Sequence, residues 1–525
     1  MQWALLAQLL VIVQPALAGA HDSRPPADRM PQQGEGVVVV SVTGNIPSVQ
    51  QWDVLSVEQV LPAPAAGQPP PRPPSWNLHQ VSRGMARDTS LFAGVLPEGE
   101  YHVTGLTDDE TTKYITLKPT QQDLLGTFVV ESGKASDLGR LLITPIDELV
   151  LVGRSALAPD NVSLVHTLSP DNEAALPAAR RNGWTAPRND RDKAEEVALS
   201  EPTGARTPVA LRQGFVAAPG RLGSVLLRLP TGIWRSLRSG GLESFEYLLR
   251  AERADLEFYA AGEANTLFGV DANGKFNRID PGDLPMGTIV FLGGNDEHGW
   301  WIAQERGTAV TLYHSAALAA GHWEPLRTEQ TTVRGWAGPR LVWVLPTRTG
   351  LLLAASDEPM HFLDFTSGSW TDRPLPEGGR IVGLIAGVPG AFGLLTGTKS
   401  GFAGVFASSY VTRDDGANWL KVSPPKKVRG VPPLAASGTT LVQESFSIGF
   451  TKAGQVYQTS HDDGRTWDTR EVKLPTNSTL YVLDGAGLLG VATFPQWNIE
   501  QLWLAKDADA EWQLEHTNWV QKPAK

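Results

Sequence analysis

Cysteine is absent from all 525 residues. That excludes disulfides, thiolate metal sites and a lipidated N-terminal cysteine. It also argues against the disulfide-rich modules of eukaryotic secretion. Tyrosine is scarce, at 8, and methionine scarcer, at 5. Basic excess is missing as well: 45 Lys and Arg face 56 Asp and Glu, a net charge of -11. Such a chain carries no electrostatic footprint for nucleic acid. G-x-S-x-G, H-E-x-x-H, the Walker A pattern and a G-x-G-x-x-G after a strand are all lacking. The ten histidines are scattered, so no cofactor and no metal set is expected. After residue 18 there is no apolar run long enough to span a bilayer.

What is present points to strands and turns. Hydrophobic residues make 41% and charged residues 19%, with Gly 53 and Pro 39. That mixture suits many short strands joined by tight turns. Residues 3–18 form one apolar run, and Ala16-Leu17-Ala18 and Ala18-Gly19-Ala20 both fit an A-x-A cleavage site. Residues 1–20 read as a secretory signal peptide. Its first residues hold no Lys or Arg, so an uncleaved anchor is the alternative reading. The run is short for a span of ~20 apolar residues. Export without cysteine fits a bacterial periplasmic or secreted protein, with no membrane span after signal cleavage.

Residues 36–154 predict a small β-sandwich. Val37-Val38-Val39-Val40-Ser41-Val42 is β-branched, and Gln51-Trp52-Asp53-Val54-Leu55-Ser56-Val57 alternates. Further strands are expected at 91–96, 101–104, 125–130, 138–143 and 149–152, with a proline-rich loop over 62–74. Leu96-Pro97-Glu98-Gly99-Glu100-Tyr101 resembles the L-P-x-G-x-Y turn of carboxypeptidase-regulatory-like sandwiches, over this one hairpin. The resemblance implies an accessory or adhesion module. Residues 155–205 are charged and unpatterned and read as a solvated linker, with a short helix conceivable at 170–176.

Residues 206–525 repeat. Ser460-His461-Asp462-Asp463-Gly464-Arg465-Thr466-Trp467 reads S-x-D-x-G-x-T-W, and Thr412 to Trp419 repeats it with Asn418 in place of the Thr. The Asp carboxylate suits backbone N–H groups two residues on, and Gly supplies a positive φ. The two tryptophans are 48 apart. Weaker turn-plus-aromatic landmarks at Trp234, Phe276, Trp323, Trp370 and Trp512 continue the series at spacings of 42 to 49. A four-stranded propeller blade takes roughly 40–50 residues. The expected fold is all-β: an N-terminal β-sandwich followed by a seven-bladed β-propeller with four-stranded blades. Six or eight blades stay open at this level. So does closure, for which 206–218 and 511–519 are the candidate seam.

The octapeptide resembles the Asp-box, or BNR repeat, of sialidases and of many non-catalytic binding propellers. Carried over, Thr412, Asp414, Gly416, Trp419, Ser460, Asp462, Gly464, Thr466 and Trp467 are structural turn residues on the outer rim. The blade count and the boxes are also similar to photosystem assembly-factor-like propellers, which implies an assembly aid.

The sialidase resemblance would require three arginines, a Tyr–Glu pair and an acid/base Asp, with an F/Y-R-I-P landmark. Leu227-Arg228-Leu229-Pro230 matches only R-x-P, and Tyr410 and Tyr457 both precede a box. No catalytic set emerges. Asp296-Glu297-His298 beside Trp300-Trp301 reads as a surface hairpin rather than a metal or sugar site. The expectation is therefore an exported binding or assembly protein with a protein or envelope-glycan partner. A sialidase-clan hydrolase is the alternative.

Overall fold

Turn-forming residues punctuate the chain throughout, and the chain responds with strands of two to twelve residues almost everywhere. The computed structural model describes residues 20–518 apart from 23–29, 45–51, 63, 65, 66, 70, 82–87, 109–112, 147, 148, 158–160, 169–175, 178, 179, 189–191, 201–203, 332–339, 377, 378, 398–406, 425–430, 449–452, 476, 477, 484, 486 and 495–498. The expected signal peptide and most of the conceivable helix at 170–176 lie outside the described residues.

The N-terminal strands are β1 (Ala20–Asp22), β2 (Glu35–Gly44), β3 (Val54–Gln59), β4 (Ser75–Gln80), β5 (Thr89–Pro97), β6 (Gly99–Asp108), β7 (Lys113–Thr116), β8 (Phe128–Val130), β9 (Ala135–Ile146), β10 (Leu149–Arg154) and β11 (Arg180–Asn182). Hydrogen bonding joins all 11 in one sheet along the path β10-β9-β2-β5-β4-β3-β6-β7. β1 lies beside β4, β8 beside β6 and β11 beside β9. Two separate stacked sheets, as a sandwich would have, are not drawn by this pairing. The sheet wraps a core that includes Val38, Val40, Leu55, Phe92, Tyr101 and Leu141. The valine run of β2 is buried on both faces, as continuous apolar strands are. Val38 and Val40 enter that core, while Val37 and Val39 meet Val162 and Val165 of helix α1 (Asn161–Leu168). In the hairpin at 96–101, the Tyr101 hydroxyl donates to the Pro97 carbonyl at 2.8 Å.

Residues 155–205 differ from a solvated linker. They hold α1, β11 and helix α2 (Ala194–Ser200). Their charges are paired, both within the segment and with the strand before it. Arg154 pairs with Asp192 at 3.5 Å, and Arg188 with Glu195 at 2.6 Å. Local pattern gives no sign of such pairs.

Seven four-stranded antiparallel sheets follow, each from four consecutive strands. The blades cover 209–238, 245–278, 288–330, 342–373, 380–422, 434–471 and 478–517. Every aromatic landmark opens the fourth, outermost strand of its blade or stands one residue before it. Trp234, Trp323 and Trp512 are buried between neighbouring blades, whereas Trp370 is exposed at the rim. Strand direction alternates, so the first–second and third–fourth turns of all blades share one face, here the turn face. The second–third turns and the links between blades share the other, the link face.

Among the described residues neither end of the propeller lends a strand to the other, because blades 1 and 7 are each complete. The seam is closed by side chains. Val216, Leu226 and Trp234 of blade 1 pack on Leu489, Val491 and Leu502 of blade 7. Glu515 grips Arg228 with both oxygens at 2.7 Å and accepts from the Trp234 indole at 3.0 Å. Among the described residues no helix is long and apolar enough to cross a membrane.

Candidate functional site

The boxed turns are filled by their own hydrogen bonds. In blade 6, Asp462 Oδ1 accepts from the Thr466 N–H and the Ser460 hydroxyl, both at 2.8 Å, and Oδ2 accepts from the Thr466 hydroxyl at 2.7 Å. Ser460 in turn accepts from the Gly464 N–H at 2.8 Å, and the Trp467 indole donates to the Gly464 carbonyl at 3.0 Å. Gly464 has φ +83, and a Cβ there would meet Val422 at 2.6 Å, so glycine is required on both counts. Blade 5 repeats the pattern: Asp414 accepts from the Asn418 N–H at 2.9 Å and its amide at 2.7 Å, and from Thr412 at 2.7 Å. Gly416 donates to Thr412 at 3.2 Å, and Trp419 packs against the core between blades 4 and 5. Asn418 thus does the work of the usual Thr.

These turns also clasp neighbouring blades. Arg348 of blade 4 donates its N–H to Asp415 at 3.2 Å and its guanidinium to the Arg413 carbonyl at 2.9 Å. Arg413 pairs with Asp463 of blade 6 at 2.8 Å, and His461 meets Asp509 of blade 7 at 3.1 Å. The donors to Asp462, first the Thr466 N–H, hold its carboxyl down at about 2. A depressed carboxyl contributes stability above its ordinary value of 3.8, and that contribution is lost as pH falls through about 2. Asp462→Ala is expected to lower the thermal midpoint and to remove this part of the acid sensitivity. Calorimetric scans at pH 7 and pH 3 check both, and an unchanged midpoint at pH 7 would show the turn to be dispensable.

The residues that suggested glycosidase chemistry are committed elsewhere. Arg228 is held in the seam by Glu515. Tyr457 stands across from Glu444 and Arg470 on adjacent strands, the one Tyr–Glu pairing of this type among the described residues. It is 1% exposed, walled by Leu474, Leu488 and Trp512, and burial raises its hydroxyl well above the usual range. No substrate reaches it there. Asp296 accepts from the Trp300 indole at 3.1 Å, and Trp301 stacks on Phe365 of the next blade at 4.1 Å. Glu329, Glu358 and His361 bring ligand atoms within 4.8 Å of one another. Guanidinium groups occupy that space: Arg340 binds Glu329 at 2.9 Å and Glu358 at 2.8 Å, and Arg327 reaches His361 at 2.8 Å.

An open site does exist on the turn face. A groove runs between blades 2 and 3, with an outer part of about 400 Å³ and an inner part of about 280 Å³. Tyr259 and Trp300, edge to face at 5.3 Å, form its floor and are common to both parts. Arg250, Arg253 and Arg278 line it against Glu252, Asp255, Asp296 and Glu297. Arg253 pairs with Asp255 at 2.8 Å. Arg250, Asn277 and Arg278 are exposed and carry no side-chain partner among the described residues. Sequence patterning does not mark these three as a site: all belong to blade 2, and the groove forms only where that blade meets blade 3 in the folded disc.

The link face is partly covered. The N-terminal sheet sits on it at blades 1 and 2, through Arg140–Glu243 at 2.7 Å and Arg221–Asp88 at 2.8 Å. Leu142, Ala194 and Ala198 add apolar contact with Leu222 and Leu242.

The fold is a seven-bladed β-propeller. Similar solved structures include the GH74 xyloglucanase of Xanthomonas campestris, at 15% identity and TM-score 0.39 over 59% of this chain and 55% of that one. YCF48 from Cyanidioschyzon merolae is similar at 12% identity and TM-score 0.37, over 58% of this chain and 94% of that one. The present chain thus spans about half the length of the xyloglucanase. These likenesses concern the fold alone. No family model and no curated protein matches the sequence.

Proposed function

We propose that this chain is an exported, non-enzymatic binding or assembly protein that offers its propeller to a protein or an envelope glycan. The filled S-x-D-x-G-x-T-W turns support placing it among Asp-box propellers. The N-terminal sheet serves as its accessory module, of the β-sandwich type that the hairpin at 96–101 resembles. Its place is the bacterial periplasm or the medium.

One observation carries the reading: the turn face keeps an open groove, while blades 1 and 2 are covered on the link face. Three arginines against four carboxylates leave the groove near charge balance. Balance of this kind favours a neutral polyhydroxylated chain or a mixed-charge protein surface over a strongly charged ligand. The unpartnered Arg250, Asn277 and Arg278 supply donors without first breaking internal bonds.

The test is affinity capture from crosslinked native envelopes, comparing the tagged protein with an Asn277→Ala/Arg278→Ala variant. One partner, protein or glycan, is expected at stoichiometric yield, reduced about fivefold or more in the variant. Equal recovery by both proteins would remove the groove from the reading. Turnover of sialosides by the purified protein would overturn the non-enzymatic reading altogether.

A further inference from the structure

Six charged side chains from six separate segments meet where the N-terminal sheet joins the disc. Asp88 precedes β5, Arg206 leads into blade 1, and Arg221 lies in the second–third turn of blade 1. Glu246 is on the first strand of blade 2, Glu263 in the second–third turn of that blade, and Glu500 on the third strand of blade 7. All but Arg206 are buried, and Glu263 and Glu500 are each 1% exposed. Four carboxylates thus share two guanidinium groups.

The guanidiniums serve Asp88 and Glu246. Arg221 binds Asp88 at 2.8 Å and the Gly44 carbonyl at 2.5 Å, so it reaches the N-terminal sheet twice. Arg206 binds Glu246 at 2.6 Å and Asp88 at 3.5 Å. Glu263 is held instead by backbone N–H groups, of Asp88 at 2.5 Å and of Ser244 at 3.0 Å. Ser244 also donates its hydroxyl to Asp88 at 2.5 Å, which sets the two carboxyl groups side by side around one residue. Two carboxylates in one dry site do not both ionise without large cost.

We propose that this junction is a proton-dependent latch, which holds the N-terminal sheet to the disc while Glu263 keeps its proton and loosens when the proton leaves. Burial first, and then the charge of Asp88, pushes Glu263 up to about 8. Burial likewise pushes Glu500 up to about 7. Its N–H donors are Gly204 at 2.6 Å and Ala205 at 2.9 Å, just ahead of blade 1 and not in the N-terminal sheet, so its titration is not coupled to docking. Asp88 moves the other way: burial pulls it up, but Arg221 and Arg206 outweigh that and keep it charged.

The sign follows from these directions. Once the sheet lifts off, Glu263 meets water and returns toward 4.5, its ordinary value. Docking therefore takes up a proton, and its benefit is complete below 4.5 and lost as pH rises through about 8. The Asp88 contribution is present above 3.8, its ordinary value, and disappears as pH falls below its lowered one. The latch is tight from mildly acidic to neutral pH. Around it, Glu243 is held low by Arg140 against its burial and stays charged, and Tyr481, raised by burial to about 12, stays neutral. Neither titrates in the window.

The absence of native cysteine allows the test on the full chain. Tyr114→Cys on β7 and Leu420→Cys on blade 5 are both exposed sites for a fluorophore pair. Energy transfer is expected to be uniform at pH 6 and broadened at pH 9. The docked-to-undocked ratio should fall on the order of tenfold to a hundredfold between them. In Glu263→Gln, which cannot ionise, transfer at pH 9 should stay as at pH 6. Arg140→Ala should weaken docking at both pH values and leave the pH dependence in place. An unchanged distribution in the unsubstituted chain overturns the latch. So does a full pH response in a folded Glu263→Gln protein.

Discussion

Phe245→Ala is expected to cost about 3–5 kcal/mol and to separate blades 1 and 2 before the rest of the disc unfolds. Phe245 is fully buried at the start of blade 2. Its ring stacks on Phe276 at 5.8 Å and meets Phe268 edge-on at 6.0 Å, and those two rings meet each other at 5.5 Å. The trio packs against Leu211, Ala217, Val225 and Leu227 of blade 1, so it belongs to the joint and not to one sheet. Truncation leaves a cavity that strands on both sides are too constrained to fill, and it removes two ring pairs of about 0.5–1.5 kcal/mol each. Urea titration followed by tryptophan fluorescence reads the loss. A change below about 1 kcal/mol would mean that the joint relaxes around the hole. Phe245→Leu should recover a good part of the difference, because volume is what the site needs.

Glu515→Ala is expected to open the ring at its seam, at a cost of about 2–3 kcal/mol. The carboxylate has three donors: two from Arg228 and one from the Trp234 indole. Arg228 and Glu515 are 13% and 15% exposed, so water screens the pair only slightly. Removal strands a guanidinium and an indole N–H at a largely dry interface. Hydrogen exchange should rise over 224–238 and 499–517 and stay constant in blades 3 and 4. Uniform protection would assign closure to the apolar contacts of Leu226, Leu489 and Leu502 alone. Arg228→Met with Glu515→Leu should restore most of the stability, since apolar pairs replace buried ion pairs at little cost.

How much of this was legible depended on distance along the chain. The blades were legible because the outermost strand of each begins at a turn and an aromatic, at Trp234, Phe276, Trp323, Trp370, Trp419, Trp467 and Trp512. The boxed turns were legible because the hydrogen bonds that shape them, from Ser460, Gly464 and Thr466 about Asp462 and from Thr412, Gly416 and Asn418 about Asp414, close within eight residues. β4 and β7 were missed: one follows a proline-rich stretch and the other is a four-residue strand ending the main path of the sheet. The parallel pairing of β2 with β9 joins residues about a hundred apart and leaves no periodic trace. Arg228 drew notice only as part of an R-x-P match, because its partner lies 287 residues away. The ionic junction was invisible for the same reason. Its members come from just before β5, from the approach to blade 1 and from blades 1, 2 and 7, so no local pattern joins them.

Seven uninterrupted blades have a consequence for how the molecule can be rearranged. In a ring sealed by strand exchange, the chain ends are woven together and the order of sectors is fixed. Here every sector is one unbroken stretch of polypeptide, and only side chains mark where the circle begins. Such a ring has no topological start. Its opening could be moved to another inter-blade link by joining the old ends and cutting elsewhere, with every sheet left whole. Whole sectors could be gained or lost by duplication or deletion of a contiguous segment, which is the simplest edit a genome makes.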